Sequence, residues 1–339
     1  MHIIDSHFHW WPRPIFEALC KRTSVPLAKP NDKGCYTCVL QDGPDYVMNL
    51  WPEWFDLDDQ FAHMDKLGHQ VDAVGSIGPF SVYFSALPEA EGRDLAIQWN
   101  EEMAAAQRRY PGRFWGSAAI PFQSEKVAMD VLDDAINRLG LMGVNLPGSI
   151  GADPRIDQDR MQSFYARCAE LDLPIFLHPT DAVFNHMLDG YNGALHLSLG
   201  RVMEVSVAAM RLVLSGTMER HPNLKIVMSH TGGALPYQSG RMDKNTRAAQ
   251  LPRPASEYIR RMYTDTVTPH SAGMRFAIDY YGIDRVMYGT DYPCWDPSAC
   301  LRFIEELQLS EADQAKLFRD NARRILNLKS PASAQAAAE

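Results

Sequence analysis

Residues 2–9 read HIIDSHFH. A short apolar run leads into Asp5 and then into two histidines two positions apart. Such a run has the composition of a buried strand. Period-two alternation puts His7 and His9 on one face of it, with Phe8 on the other. An imidazole turned into the interior of a sheet needs a hydrogen-bond partner or a metal. Working outward, seven similar runs follow: VDAVGSI (71–77), FWGSAAIP (114–121), LMGVNLP (141–147), PIFLHPT (174–180), LKIVMSH (224–230), MYTDTVTPH (262–270) and RVMYGTDYP (285–293). Several are apolar throughout, as strands covered on both faces are. Between them lie helical patterns, among them 57–69, 124–140 with Ser124 as N-cap, 159–172 and 310–328. Eight strands, each followed by helix, predict a (β/α)8 barrel. An open doubly wound sheet would carry a glycine-rich phosphate loop after its first strand, and this sequence has none there. The barrel is expected over 1–329, with a small Pro- and Gly-containing insertion at 23–56 near its mouth. The tail at 330–339, SPASAQAAAE, is low-complexity and expected to be flexible.

Composition narrows the function classes. The 339 residues are 46% hydrophobic with a formal charge of −9 and no basic block. Nucleic-acid binding, which needs clustered Lys and Arg, is not expected. No window approaches the ~18 apolar residues of a membrane span. The N-terminal residues do not read as a signal peptide, so a cytoplasmic location is expected. Six scattered cysteines make no disulfide framework. Cys35 and Cys38 form a lone C-x-x-C, read as two ordinary cysteines of a small hairpin.

In a barrel, functional side chains sit at the C-terminal strand ends. Here those ends carry His7 and His9 (strand one), His178 (five), His230 (six) and Asp291 (eight). Hydrogen bonding explains any one buried histidine; core packing does not call for the whole set. Three imidazoles and a carboxylate suit a divalent ion of the Zn²⁺, Mn²⁺ or Fe²⁺ kind, Zn²⁺ being the first expectation and Mn²⁺ the next.

The motifs DSHFH, FLHP, MSHTGG and YGTDYP resemble the amidohydrolase superfamily, and within it the aminocarboxymuconate-semialdehyde decarboxylase branch. The resemblance runs from the first strand to the last helix. It implies His7, His9, His178 and Asp291 as ligands, and His230 as general acid/base, with Asp291 sharing in proton transfer. Binuclear members often carry a bridging lysine on strand four. LMGVNLP has Asn145 and no lysine, so the resemblance implies a single ion. It also implies that Arg241 reaches a neighbouring subunit's site to grip an anionic substrate, and hence a homodimer. Two positions depart from the named decarboxylase: Trp51 stands where it has arginine, and Thr180 where it has tryptophan. Aminocarboxymuconate semialdehyde itself is therefore not the expected substrate.

The expected activity is decarboxylation of an aromatic or muconate-semialdehyde-like acid in aromatic catabolism. The alternative on the same residues is hydrolysis of a C–C bond in a ring-cleavage product, or of a lactone. A non-catalytic barrel with a structural metal is disfavoured, because all five chemical positions are intact. A planar anionic aromatic or dienoate substrate suits the aromatic residues near the strand ends. Trp10, Trp51 and Tyr292 are the expected contacts, with Trp11, Trp54, Phe80, Tyr83, Phe84 and Trp295 as further candidates. At least half of that set is expected to serve packing. Asn145 is the expected polar contact, with Ser76, His270 and Asp296 behind it. His186 and His196 read as solvated loop residues.

Overall fold

The computed structural model describes residues 1–39, 47–75, 78, 83–151, 153–180, 184, 187–246 and 249–328. Ser76, Phe80, His186 and the tail lie outside them. Each of the eight expected runs carries a parallel strand: β1 (His2–Asp5), β5 (Gln70–Gly75), β6 (Phe114–Ala118), β7 (Gly143–Pro147), β8 (Pro174–His178), β9 (Lys225–Met228), β10 (Tyr263–Asp265) and β11 (Val286–Met287). They follow one another around the sheet in chain order. The ring closes through residues just past the ends of β1 and β11. Ser6 N donates to Tyr288 O, Asp291 N to His7 O and His9 N to Tyr292 O, each at 2.8 Å. This (β/α)8 closure leaves no open sheet edge.

Two apolar layers hold the ring. Ile4, Val74, Phe176, Val227, Tyr263 and Met287 fill the interior, one from each of six strands. Ala322, Ile325 and Leu326 join that cluster from the last helical segment, plugging the end of the barrel opposite the site. The larger core lies between the sheet and the helices. Helix Leu57–Asp65 begins where Asp56 accepts from the N–H groups of Asp58 and Asp59. Ser124 caps Glu125–Asp133 by accepting from Val127 N. Both caps satisfy first-turn donors that otherwise lack partners. The 310–328 pattern is realised as three consecutive pieces, Glu311–Ala315, Lys316–Asp320 and Asn321–Ile325.

The insertion contains an antiparallel sheet of β2 (Leu27–Pro30), β3 (Tyr36–Val39) and β4 (Val47–Asn49). Cys35 and Cys38 are buried here as free thiols, so they are ordinary cysteines of a hairpin. Among the described residues no helix is long and apolar enough to cross a membrane.

The first strand is shorter than its apolar run. It ends at Asp5, and Ser6 and His7 form a bend. The alternation reverses across that bend. Ile4 belongs to the interior cluster, whereas Phe8 stacks outward on Tyr292 at 6.0 Å and on Phe61 at 6.3 Å between ring centroids. Phe8 is fully buried beside the closing hydrogen bonds. Phe8→Ala should cost about 3–5 kcal/mol of stability. Urea unfolding of chelator-treated protein reads this apart from any metal effect; a loss below about 1 kcal/mol contradicts the packing role.

Candidate metal centre and active site

The closure that completes the barrel also assembles the site. His7 and His9 come from one side of the seam and Asp291 from the other. His178 ends β8, beside them. One ligand atom from each of these four buried residues lies within 4.8 Å of the others. The imidazole centroids of His7, His9 and His178 are 5.1–5.6 Å apart. His230 follows β9, its ring 5.4 Å from His7 and 5.6 Å from His178. Thus the structure brings all five sequence-predicted chemical residues together.

Hydrogen bonds set the tautomers. His7 Nδ1 lies 2.6 Å from Asp265 Oδ2, and His178 Nδ1 lies 2.8 Å from Pro179 O. Those partners only accept, so each Nδ1 is the donor and each Nε2 presents a lone pair. His7 Nε2 and His178 Nε2 are buried and have no hydrogen-bond partner among the described residues. Leaving such atoms unpaired costs on the order of 1–3 kcal/mol each, and a cation between them removes that cost. His9 Nε2 lies 2.6 Å from Asp291 Oδ1, which keeps the remaining donor set compact.

Charge gives the same answer. Three carboxylates, Asp5, Asp265 and Asp291, are buried around these imidazoles. Burial pushes Asp5 up to about 7, although it accepts from Thr290 and from His7 N. For Asp265, burial acts upward too. Its hydrogen bond to His7, the nearby imidazoles and the Thr231 N–H outweigh it and hold the carboxyl below its ordinary value. Asp291 is held far down in the same way, by the His9 hydrogen bond and the charges of His7, His9 and His230 against burial. Burial, reinforced by the other histidines, holds His178 well below the usual imidazole value. Burial likewise pushes His230 down to about 4, helped by His7 and Arg201 and partly opposed by Asp291 and Asp265. For His7 burial acts downward, but its hydrogen bond to Asp265 and the charges of Asp265, Asp291 and Asp5 outweigh it and raise the imidazole above its ordinary value; a divalent cation would compete with that proton and supply the positive charge these carboxylates draw in. The residues therefore fit one metal ion.

Asp265 escaped the sequence reading. It sits at the end of β10 but inside the run read as 262–270, so the test applied to the other strands, a polar residue closing an apolar run, does not mark it. Besides His7 it accepts from His230 N (3.2 Å), Thr231 N (3.0 Å) and Val267 N (3.1 Å). It thus orients a candidate ligand and the loop that carries His230 at once. Gly289 makes room for this pair: a Cβ there would lie 2.8 Å from His7 Cβ and 3.0 Å from Asp265 Cβ. His230, Thr231 and Asp291 all have positive φ, at 54°, 55° and 63°. Non-glycine residues held there cost on the order of 1–3 kcal/mol each, which the surrounding bonds must offset.

Above the cluster opens a cavity of about 920 Å³, with His230 and Asp291 at its base. Trp51, Trp54, Tyr237, Phe276 and Trp295 supply aromatic walls. Trp51 and Trp54 come from the insertion side, so that segment shapes the cavity. Several other expected contacts are elsewhere. Trp10 donates through Nε1 to Phe55 O and sets its ring edge-on to Phe114; it packs on the core, not on the cavity wall. Trp11 is fully buried, stacked 4.0 Å from Trp54. Tyr292 is turned between Phe8 and His63, its hydroxyl donating to Glu53. Asn145 is buried on β7, in register with Phe176, below the cavity. Tyr83 and Phe84 belong to the core. His270 and Asp296 are helix caps, accepting from Gly273 N and Ser298 N. His196 is buried, not solvated. Arg241 is exposed on helix Leu235–Asn245 and does not line its own chain's cavity.

Comparison with known proteins places this geometry. A family model for amidohydrolases matches residues 4–328. The chain belongs to the amidohydrolase family. It is 30% identical over 263 residues to a gamma-resorcylate decarboxylase of Rhodococcus jostii, covering 72% of this chain and 80% of that one. It is 27% identical over 304 residues to a 2-amino-3-carboxymuconate-6-semialdehyde decarboxylase of Dictyostelium discoideum, covering 87% and 82%. Its fold matches a dihydroxybenzoic acid decarboxylase from Polaromonas, solved with bound manganese and the inhibitor 2-nitroresorcinol. That match has a TM-score of 0.76 at 22% identity and covers 98% of each chain. The amidohydrolase chain is an enzyme of the carboxy-lyase class.

Asp265→Asn keeps the shape but removes the charge that orients His7. It should weaken metal binding about 10- to 100-fold while leaving the protein folded. Metal-buffer titration measures this; unchanged affinity contradicts the orienting role.

Proposed function

We propose that this amidohydrolase removes CO₂ from an aromatic or muconate-semialdehyde-like acid, using one divalent ion held by His7, His9, His178 and Asp291. The observation that carries the proposal is the buried imidazole–carboxylate cluster opening, through His230 and Asp291, onto an aromatic-walled cavity. The decarboxylase relatives support the reaction, and ring acids are the substrates their names carry. Three nitrogens and an oxygen suit Zn²⁺ or Mn²⁺, and the manganese in the Polaromonas neighbour supports the second. When bound, the ion would polarise a substrate oxygen and draw electrons from the reacting carbon.

The chain's own residues supply the rest. The bond between ring carbon and carboxylate breaks, its electron pair stays on the ring, and a proton takes the place of CO₂. His230 Nε2 and Asp291 Oδ2 are 4.0 Å apart at the cavity base, where that proton is needed. His230, neutral near pH 7, can take a proton from water, carry it as imidazolium and give it to the ring carbon as the bond to the carboxylate breaks, returning to its neutral form. Stacking on the aromatic walls orients a planar substrate and excludes water. The exposed Tyr237 and Leu197 at the cavity rim support a homodimer in which Arg241 reaches the partner subunit's site. A cytoplasmic enzyme of aromatic catabolism is the setting this reading implies.

A CO₂-release assay on metal-loaded protein with hydroxybenzoates and carboxymuconate semialdehydes tests the proposal. CO₂ should appear in step with substrate loss. His230→Gln should keep its metal yet lose about 10²–10⁴-fold in turnover. Consumption of ring-cleavage dienoates or lactones without CO₂ would instead assign hydrolysis to these residues.

A further inference from the structure

The loop that carries His230 runs through four consecutive left-handed residues. His230, Thr231, Gly232 and Gly233 have φ of 54°, 55°, 74° and 63°. Two of them are not glycine, and such residues relax toward negative φ unless their neighbours hold them. Asp265 holds the front of the loop through the N–H groups of His230 and Thr231. Within it, Gly232 N donates to Ser229 O at 3.1 Å and Gly233 N to His230 O at 3.0 Å. Those bonds fix the shape of the turn. They do not fix where its far end lies.

Helix Arg201–Leu214 does that. Ala234 N donates to Ser206 Oγ at 2.8 Å, and Ser206 Oγ donates its own proton to Val202 O, one turn back, at 2.6 Å. A hydroxyl has one proton, so the bond to Val202 leaves its lone pairs for Ala234. Ala234 opens helix Leu235–Asn245 without a side chain able to cap it, and Ser206 serves its N–H from the neighbouring helix. The approach is close because the loop has glycine here. A Cβ on Gly233 would collide with Val202 O and Ser206 Oγ, and a Cβ on Gly232 with the hydroxyl oxygen of Tyr281. The loop therefore packs against helices Arg201–Leu214 and Ser271–Tyr281 at once, and Ser206 supplies its polar link to the first.

Ala234 also lines the cavity, together with His230, Thr231 and Gly233. A substrate covering this wall shuts water away from the Ala234 N–H, and an N–H left without an acceptor there is costly. His230 Nε2 sits 4.0 Å from Asp291 Oδ2, and a reacting group misplaced by about 1 Å loses much of its effect. On the reading that His230 moves the proton in a decarboxylation, we propose that Ser206 is a positioning residue for it. By fastening the far end of the left-handed loop, the Ser206 hydroxyl keeps the imidazole facing Asp291 at the cavity base, while the candidate metal ligands are held independently of it.

The test sets metal-loaded Ser206→Ala and Ser206→Thr beside wild type. Ser206→Ala should lower kcat about 5- to 10-fold, the worth of one hydrogen bond, and leave KM and metal affinity within about 2-fold. Ser206→Thr keeps the hydroxyl and should recover most of kcat. A second readout needs no turnover. In hydrogen–deuterium exchange, the amides of Gly232–Ala234 should exchange about 5- to 10-fold faster in Ser206→Ala than in wild type, while those of β8 stay as they were. Unaltered exchange at the loop amides overturns the assignment whatever the reaction. So does an alanine variant that keeps full kcat, that loses kcat and metal affinity together, or whose loss threonine does not rescue. Faster loop exchange in Ser206→Ala, with no CO₂ from wild type on any acid, would overturn the decarboxylase reading and leave Ser206 as the fastening of the loop.

Discussion

The hydrogen bonds that close the barrel between β1 and β11 are the constraint on which the rest depends. Asp291 N donates to His7 O and His9 N to Tyr292 O, so ring closure and the gathering of the candidate ligands are one event. A barrel has no edge to leave unpaired, and the last strand must return to the first. Here the return places a carboxylate from one chain end against two imidazoles from the other, 282 residues apart for His9 and Asp291. Phe8 and Tyr292, stacked outside the seam, pin this register in the apolar layer.

The cluster so formed is electrostatically unsettled by itself. It gathers two imidazoles that burial holds below their ordinary value, His178 and His230, a third, His7, that its carboxylate neighbours raise, and carboxylates that need positive partners. Asp265 relieves part of this by binding His7 and three backbone N–H groups. The open nitrogens of His7 and His178 remain, and they face the same point as His9 and Asp291. A divalent cation there neutralises charge and satisfies those nitrogens together, which ties metal binding to stability as well as to chemistry.

Much of this was legible in the residue order. Strands covered on both faces leave continuous apolar runs, so all eight could be counted, and the polar residues ending them pointed to the five chemical positions. What stayed hidden depended on register and side-chain direction. Asp265 lies inside the run read as 262–270, and only the structure ends its strand there; its partner His7 lies 258 positions away. The bend at Ser6–His7 reverses the strand's alternation, which period-two reasoning does not anticipate. Trp10 and Tyr292 sit beside ligands in sequence, yet their neighbours on adjacent helices and turns draw them into packing.

Metal stoichiometry tests the central claim most directly. Chelator-treated protein would be titrated with Mn²⁺ and with Zn²⁺, bound metal per chain being counted while thermal unfolding is followed. The account predicts saturation at one ion per chain with a rise in unfolding temperature, both lost in His178→Ala. Saturation at two ions, or no bound metal and no stabilisation, would contradict it.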